Sequence, residues 1–221
     1  MFISMEGCEG AGKSLQCGML DRHLTESGHR TLLTREPGGT AVSEQIRKII
    51  LDSNYSNMSP RAEALLYSAA RAQLVFEVIR PALAEGSIVI CDRFTDSSLA
   101  YQGYARQLGP EIIKNISSFA TGYLKPDITF FLDIEPSESF ARKQGGGLLD
   151  RIELEDLDFH QKVYEGYTAL AKCEPSRVTV LDARRTPEEI HGDIIKIITP
   201  MLAAKQTEGR CNRYEACNGD H

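Results

Sequence analysis

FISMEGCEGAGKS, residues 2–14, passes from a short apolar run through a glycine-rich turn to a lysine and a serine. Residues 2–5 predict a strand, and the apolar periodicity over about 13–27, closed by Gly28, predicts a helix. Between them Gly7, Cys8, Glu9, Gly10, Ala11, Gly12, Lys13 and Ser14 match GxxxxGK[ST]. The strand-turn-helix setting is the one this phosphate-binding loop requires. Its glycines let successive backbone N–H groups turn onto phosphate oxygens, and the helix start adds positive dipole. Lys13 reaches the outer phosphates, and the Ser14 hydroxyl is a ligand for Mg²⁺. The alternative, a glycine-rich turn that only connects strand to helix, is disfavoured by the correct flanks. The loop therefore points to a nucleoside triphosphate.

Outward from the loop the chain alternates strands and helices. Residues 30–34 (RTLLT) read as a second strand, ended by Glu36-Pro37-Gly38-Gly39 and followed by a helix near 42–51. Ser59 and Pro60 open a long helix to about residue 85, distorted at Pro81. Residues 87–91 (SIVIC) and 128–134 (ITFFLDI) are continuous apolar runs, as in strands covered on both faces. Residues 110–122, 136–144 and 155–172 read as helices and 178–181 as a last strand, with a final helix starting at Thr186. Five strands alternating with helices predict an α/β fold in three layers, a five-stranded parallel sheet flanked by helices. One domain is expected over 1–205. A small mobile lid is expected at about 142–151, around Gly145, Gly146 and Gly147, and a tail without regular structure over 206–221. In such a sheet ligands sit beyond the carboxyl ends of the strands, which directs attention to the residues after Met5, Thr34, Cys91 and Ile134.

Composition narrows the partners. Lys+Arg of 25 against Asp+Glu of 31 gives −6 over 221 residues, the wrong sign for a nucleic-acid or anionic-membrane binder. Any bound anion must be held by a local cluster. No apolar run approaches a membrane span and no secretory signal is evident, so a cytoplasmic protein is expected. Cysteines at 8, 17, 91, 173, 211 and 217 form no CxxC pair and read as small hydrophobes rather than a disulfide framework. Cys211, Cys217 and His221 read as part of a solvated extension rather than a metal site.

Asp92 ends the SIVIC strand, where a carboxylate holds Mg²⁺ directly or through water. A lone strand-end aspartate is as well read as a surface ion pair, but this one accompanies the loop. The loop alone does not choose among GTPases, motors and small-molecule kinases. No NKxD guanine-reading motif is present. Arg35, Arg47, Arg71 and Arg93 fall where they can face a second anion. Two unit charges about 4 Å apart repel by about 1 kcal/mol in water and several times that in a dry cleft, so a kinase for a phosphorylated acceptor needs such arginines. A phosphomonoester, with its second pKa near ~6, needs no catalytic base.

The chain resembles the thymidylate kinases over about residues 2–200. The resemblance rests on EGCEGAGKS at 6–14, TREPGG at 34–39, YSAAR at 67–71, DRFTDSSLAYQGYAR at 92–106 and LDRIE at 149–153. It implies transfer of the γ-phosphoryl of ATP to dTMP with Mg²⁺, on a P-loop kinase fold that forms a homodimer through helices. At matching positions it implies that Arg71 bonds the thymine carbonyl, Tyr67 stacks on the base and Gln102 reads the base edge. Tyr101 would crowd the sugar 2′ position, Arg47 and Arg93 would hold the acceptor phosphate, and Glu9 would approach the 3′-hydroxyl. Glu36 and Pro37, with Ser97, would help wall the site. Lys13, Glu9, Arg93, Arg142 and Arg151 are the expected catalytic residues. Family members without a P-loop arginine place arginines in the lid. This lid is QGGGLL, which leaves Arg142, Lys143 and Arg151 as its local cations. Two rivals stay open at this stage: another nucleoside monophosphate or small-metabolite kinase, and a non-catalytic nucleotide-dependent switch.

Overall fold

In the computed structural model, residues 1–142 and 149–217 are described, with side chains as far as Ala204. The elements run β1 Phe2–Gly7, α1 Lys13–Glu26, β2 Thr31–Arg35, α2 Ala41–Leu51 and α3 Pro60–Leu74. A π-helical stretch Val75–Ile79 joins α3 to α4 Arg80–Ala84, and β3 is Ile88–Asp92. Then come α5 Thr95–Ser98, continued by a π-helical stretch Leu99–Ala105, and α6 Pro110–Thr121. The chain closes with β4 Ile128–Asp133, α7 Pro136–Arg142, α8 Leu157–Cys173, β5 Val178–Asp182 and α9 Pro187–Cys217.

The five strands form one sheet in the order β2-β3-β1-β4-β5, every pairing parallel. This is the expected three-layer α/β architecture. Strand side chains alternate between two cores, as period-two geometry requires. Ile3, Met5, Ile90, Phe130 and Leu132 face α1 and α9, where Leu20, Leu24, Ile194 and Ile198 meet them. Phe2, Val89 and Cys91 face Leu74, Val75 and Ile79 of the long helix. Phe131 and Val178 face Val163 and Tyr167 of α8. Strands covered on both faces need apolar residues at nearly every position, which is why SIVIC and ITFFLDI lack alternation.

The structure departs from the sequence reading in three places. The helix from Thr95 to Ala105 is not among the expected elements, because LAYQGYA carries a mid-helix glycine and no clear 3.6-residue stripe. Gly103 lies where an added Cβ would come 3.3 Å from Pro110 Cα, so the glycine admits α6. The long helix is interrupted before Pro81, at Val75–Ile79, where the widened π turn re-routes the bonds the proline disrupts. Finally, α9 continues to Cys217, so residues 206–217 are helical rather than without regular structure. Lys205, Gln206, Glu208, Arg210 and Ala216 are good helix formers. Lid residues 143–148 and tail residues 218–221 lie outside the described residues.

Candidate active site

The loop after β1 is shaped by its glycines. A Cβ on Gly7 would stand 2.8 Å from the Leu132 carbonyl oxygen of the neighbouring strand. Gly12 precedes α1 with φ 95°, and no side chain caps the helix. The first N–H groups of α1 are thus left for an anion. Lys13 folds back so that Nζ donates to Cys8 O at 2.7 Å. Burial, then the nearby Arg93, holds the Lys13 ammonium below its ordinary pKa. Ser14 Oγ donates to the Asp92 carboxylate, so α1 and the end of β3 meet at the loop.

Arg93 follows Asp92 with φ 70°, a left-handed conformation uncommon outside glycine. It turns the guanidinium back over the loop. Nη1 donates to Gly7 O at 2.9 Å and to Tyr167 Oη at 3.0 Å, and Nη2 pairs with the Glu9 carboxylate. The Tyr101 ring centroid lies 5.2 Å from the guanidinium carbon, within cation–π range. Behind this group sits Glu6, buried at the end of β1. It accepts from Phe94 N at 2.7 Å, Ser97 Oγ at 2.6 Å and Tyr167 Oη at 3.0 Å. Burial, then Asp96, raises its carboxyl above the ordinary range.

One cavity of about 420 Å³ is lined by Glu9, Gly10, Gly12, Lys13 and Ser14 of the loop, by Glu36, Pro37, Arg47 and Tyr67, and by Asp92, Arg93, Ser97, Tyr101 and Gln102. Residues from four separate sequence motifs, with Arg47, therefore meet at the carboxyl ends of β1, β2 and β3. Gly7, Cys8 and Ala11 complete the loop. A cis peptide joins Glu36 to Pro37, and Arg47 Nη1 donates to Pro37 O at 2.8 Å. The Tyr101 hydroxyl and Glu36 Oε1 are both buried and, among the described residues, have no hydrogen-bond partner.

Beyond the loop, three of the expected residues, Arg71, Arg142 and Arg151, are not at the cavity surface. Arg71 is only 1% exposed. Its Nε donates to Glu36 Oε2 at 2.7 Å, and its Nη2 to Ser98 Oγ at 2.9 Å and Phe94 O at 3.1 Å. It stands behind Glu36 and Ser98, both of which line the cavity. The two cations expected in a lid are elsewhere. Arg142 Nη1 donates to Ala183 O at 2.6 Å. Arg151 is buried, with Nε on Ile50 O at 2.8 Å and Nη2 2.7 Å from Glu63 Oε2. Here the Arg151 guanidinium is held against a buried carboxylate, away from the cavity. Lys143 lies outside the described residues.

Sequence reasoning missed Ser98, Asp150, Ile152 and Glu153 as cavity residues, as well as Tyr167 and Glu6 behind Arg93. Asp150, Ile152 and Glu153 stand in the LDRIE motif, which is the signal that could have found them. Tyr167 has none, since it reaches the site only because α8 packs against the helix 95–105.

Comparison with known proteins agrees with this geometry. The thymidylate kinase family model matches residues 5–194. The thymidylate kinase of an Exiguobacterium species is 46% identical over 88% of this chain and 92% of its own length. That of Symbiobacterium thermophilum is 48% identical over 91% of this chain and 94% of its own. The crystal structure of thymidylate kinase from Ehrlichia chaffeensis superposes with a TM-score of 0.71 at 30% identity, covering 90% of this chain and 98% of that one.

Proposed function

The chain belongs to the thymidylate kinase family, and from that premise we propose how its residues divide the work of an ATP-dependent dTMP kinase. The enzyme transfers the γ-phosphoryl of ATP to dTMP, giving dTDP and ADP. The observation that carries the division of labour is the single cavity shared by the phosphate loop and by Arg47, Tyr67, Arg93, Tyr101 and Gln102. The loop amides and Lys13 grip the donor phosphates. Arg47 and Arg93 hold the acceptor phosphate, with Arg93 giving up part of its contact to Glu9 as the phosphate arrives. Glu9 then faces the 3′-hydroxyl, and Tyr101 crowds the sugar 2′ position.

Tyr67 stacks on thymine, and Gln102 reads its edge. The base carbonyl rests against Ser98, with the Arg71 guanidinium behind it, while Glu36, Pro37 and Ser97 shape the rest. The acceptor oxygen is already ionised at neutral pH, so no side chain needs to remove a proton. Catalysis rests on alignment and on charge neutralisation by Lys13 and Arg93. Ser14 and Asp92, joined at the loop, offer the hard oxygen donors that suit Mg²⁺. When bound, that ion neutralises charge on the phosphates.

The same reading extends to assembly and location. Phe119, 88% exposed, and Phe76, 76% exposed, lie on and beside the packed pair α3 and α6, with Leu65 and Ile112 exposed nearby. This much apolar surface supports a homodimer through these helices. A cytoplasmic location belongs to the same proposal, and among the described residues no helix is long and apolar enough to cross a membrane. A coupled ADP-release assay with dTMP, dUMP, dGMP, AMP and shikimate, each with Mg²⁺ and with excess chelator, tests the reading. Preference for dTMP that vanishes with the chelator is expected. Preference for another acceptor, or undiminished turnover without divalent metal, overturns it.

A further inference from the structure

The side-chain amide of Gln102 is held from behind. Its Nε2 donates to Glu63 Oε1 at 2.9 Å. Glu63, on α3, is fully buried. Arg106 grips it through Nε at 3.2 Å and Nη2 at 3.0 Å, and Arg151 Nη2 lies 2.7 Å from Oε2. Burial pushes the Glu63 carboxyl up, but Arg106, Gln102 and Arg151 outweigh it and hold the group below the usual carboxylate range. An ionised carboxylate accepts hydrogen bonds and cannot donate them. It therefore takes the NH₂ end of Gln102 and turns the carbonyl end away. Among the described residues that carbonyl oxygen accepts no bond from the protein, nor is it stranded in an apolar interior. Gln102 lines the cavity.

We propose that Glu63 is a positioning residue for base specificity: by holding the Gln102 amide, it makes Gln102 present an acceptor to the nucleobase. The proposal rests on the reading of Gln102 as the residue at the base edge. A glutamine free to turn over would satisfy either a donor or an acceptor on the base. One that is fixed by an acceptor-only neighbour matches the N3–H of thymine or uracil. Cytosine, whose N3 is a lone pair, would meet oxygen with nitrogen and leave both without a proton between them.

The test compares kcat/KM for dTMP and 5-methyl-dCMP, which share sugar and methyl group and differ at N3 and at the 4-substituent. Glu63→Gln replaces the acceptor-only group with one that also donates, so Gln102 can turn round. The dTMP preference should fall about tenfold or more, chiefly through KM. In a Gln102→Ala background the same substitution should leave the preference where Gln102→Ala alone puts it. If Gln102→Ala itself leaves the preference intact, the base-edge reading is wrong and the proposal goes with it. If Gln102→Ala lowers the preference but Glu63→Gln does not, or lowers it equally without Gln102, the positioning role alone is overturned. Should Glu63→Gln fail to fold, NMR on the unmodified enzyme decides. The Gln102 side-chain amide protons, identified by their loss in Gln102→Ala, should exchange slowly and shift little with dTMP. Fast exchange with a large dTMP-induced shift overturns the proposal.

Discussion

The Lys13 ammonium lies 2.7 Å from the carbonyl oxygen of Cys8, so the cation of the phosphate loop rests on the loop's own backbone. It is buried there, close to where a triphosphate must enter, and only a short movement would exchange the carbonyl for a phosphate oxygen. Lys13→Ala should lower kcat by roughly a thousandfold, the scale for removing a preorganised charge from a transition state. Circular dichroism should show an unchanged fold. Residual activity within tenfold of the parent enzyme would rule out this role.

Arg71 and Glu36 form a buried ion pair with side chains 1% and 4% exposed. Arg71→Ala leaves the buried Glu36 carboxyl without its donor, so it takes up a proton, at a cost of about 1–3 kcal/mol of stability. It also removes the charged donor behind the base carbonyl, a loss of roughly 2–4 kcal/mol in transition-state binding. The double variant Arg71→Ala/Glu36→Gln should recover stability but not kcat/KM. Recovery of both would place Arg71 in the scaffold alone.

Burial raises the Glu36 carboxyl from 4.5 to about 7, with Arg71 opposing. A raised carboxyl binds a proton in the folded state that the unfolded chain has already released. Its contribution to stability is full below about pH 4.5 and is lost as the pH rises to about 7. Urea denaturation between pH 4 and 8 should show the parent enzyme losing roughly 3 kcal/mol relative to Glu36→Gln across that window. Parallel stability curves would contradict the assignment.

Gly166 is the point where α8 touches the helix that carries Tyr101 and Gln102. An added Cβ there would lie 2.9 Å from Ala100 Cα and 3.1 Å from Tyr104 Cβ, both of which must move. Gly166→Ala should cost about 1–3 kcal/mol of stability. Because Tyr101 and Gln102 follow Ala100, the KM for dTMP should rise more than that for ATP. Equal changes in both constants would argue against transmission through this contact.

Phe119 is 88% exposed on α6. If the α3–α6 face is where two copies meet, Phe119→Asp places a charge in an apolar interface, and sedimentation velocity should show a shift from dimer to monomer at micromolar protein. An unshifted sedimentation coefficient would remove this face from the dimer.

Much of the site is legible in the amino-acid sequence, for particular reasons. Lys13, Ser14 and Asp92 stand at fixed offsets from apolar strands, and a strand end is a place that topology brings to the cleft. Arg47, Tyr67, Tyr101 and Gln102 are placed by motif resemblance, not by any local pattern. Ser98 and Tyr167 escape because the helix 95–105 has no simple periodicity and α8 reaches the site only through packing. Arg151 misleads because a charged residue beside glycines looks solvent-facing until a buried partner such as Glu63 is found.

Local chemistry alone determined the alternation of five strands with helices, the phosphate loop and the carboxylate that ends β3. Each depends on neighbours within one or two turns of chain, where hydrogen-bonding geometry and apolar spacing leave few choices. Only the folded arrangement decided that Arg71 is locked behind Glu36, that Arg151 is an anchor and that Glu63 faces Gln102. Those pairings join residues 35, 88 and 39 positions apart. Which charge meets which across such distances depends on how the layers pack around the sheet.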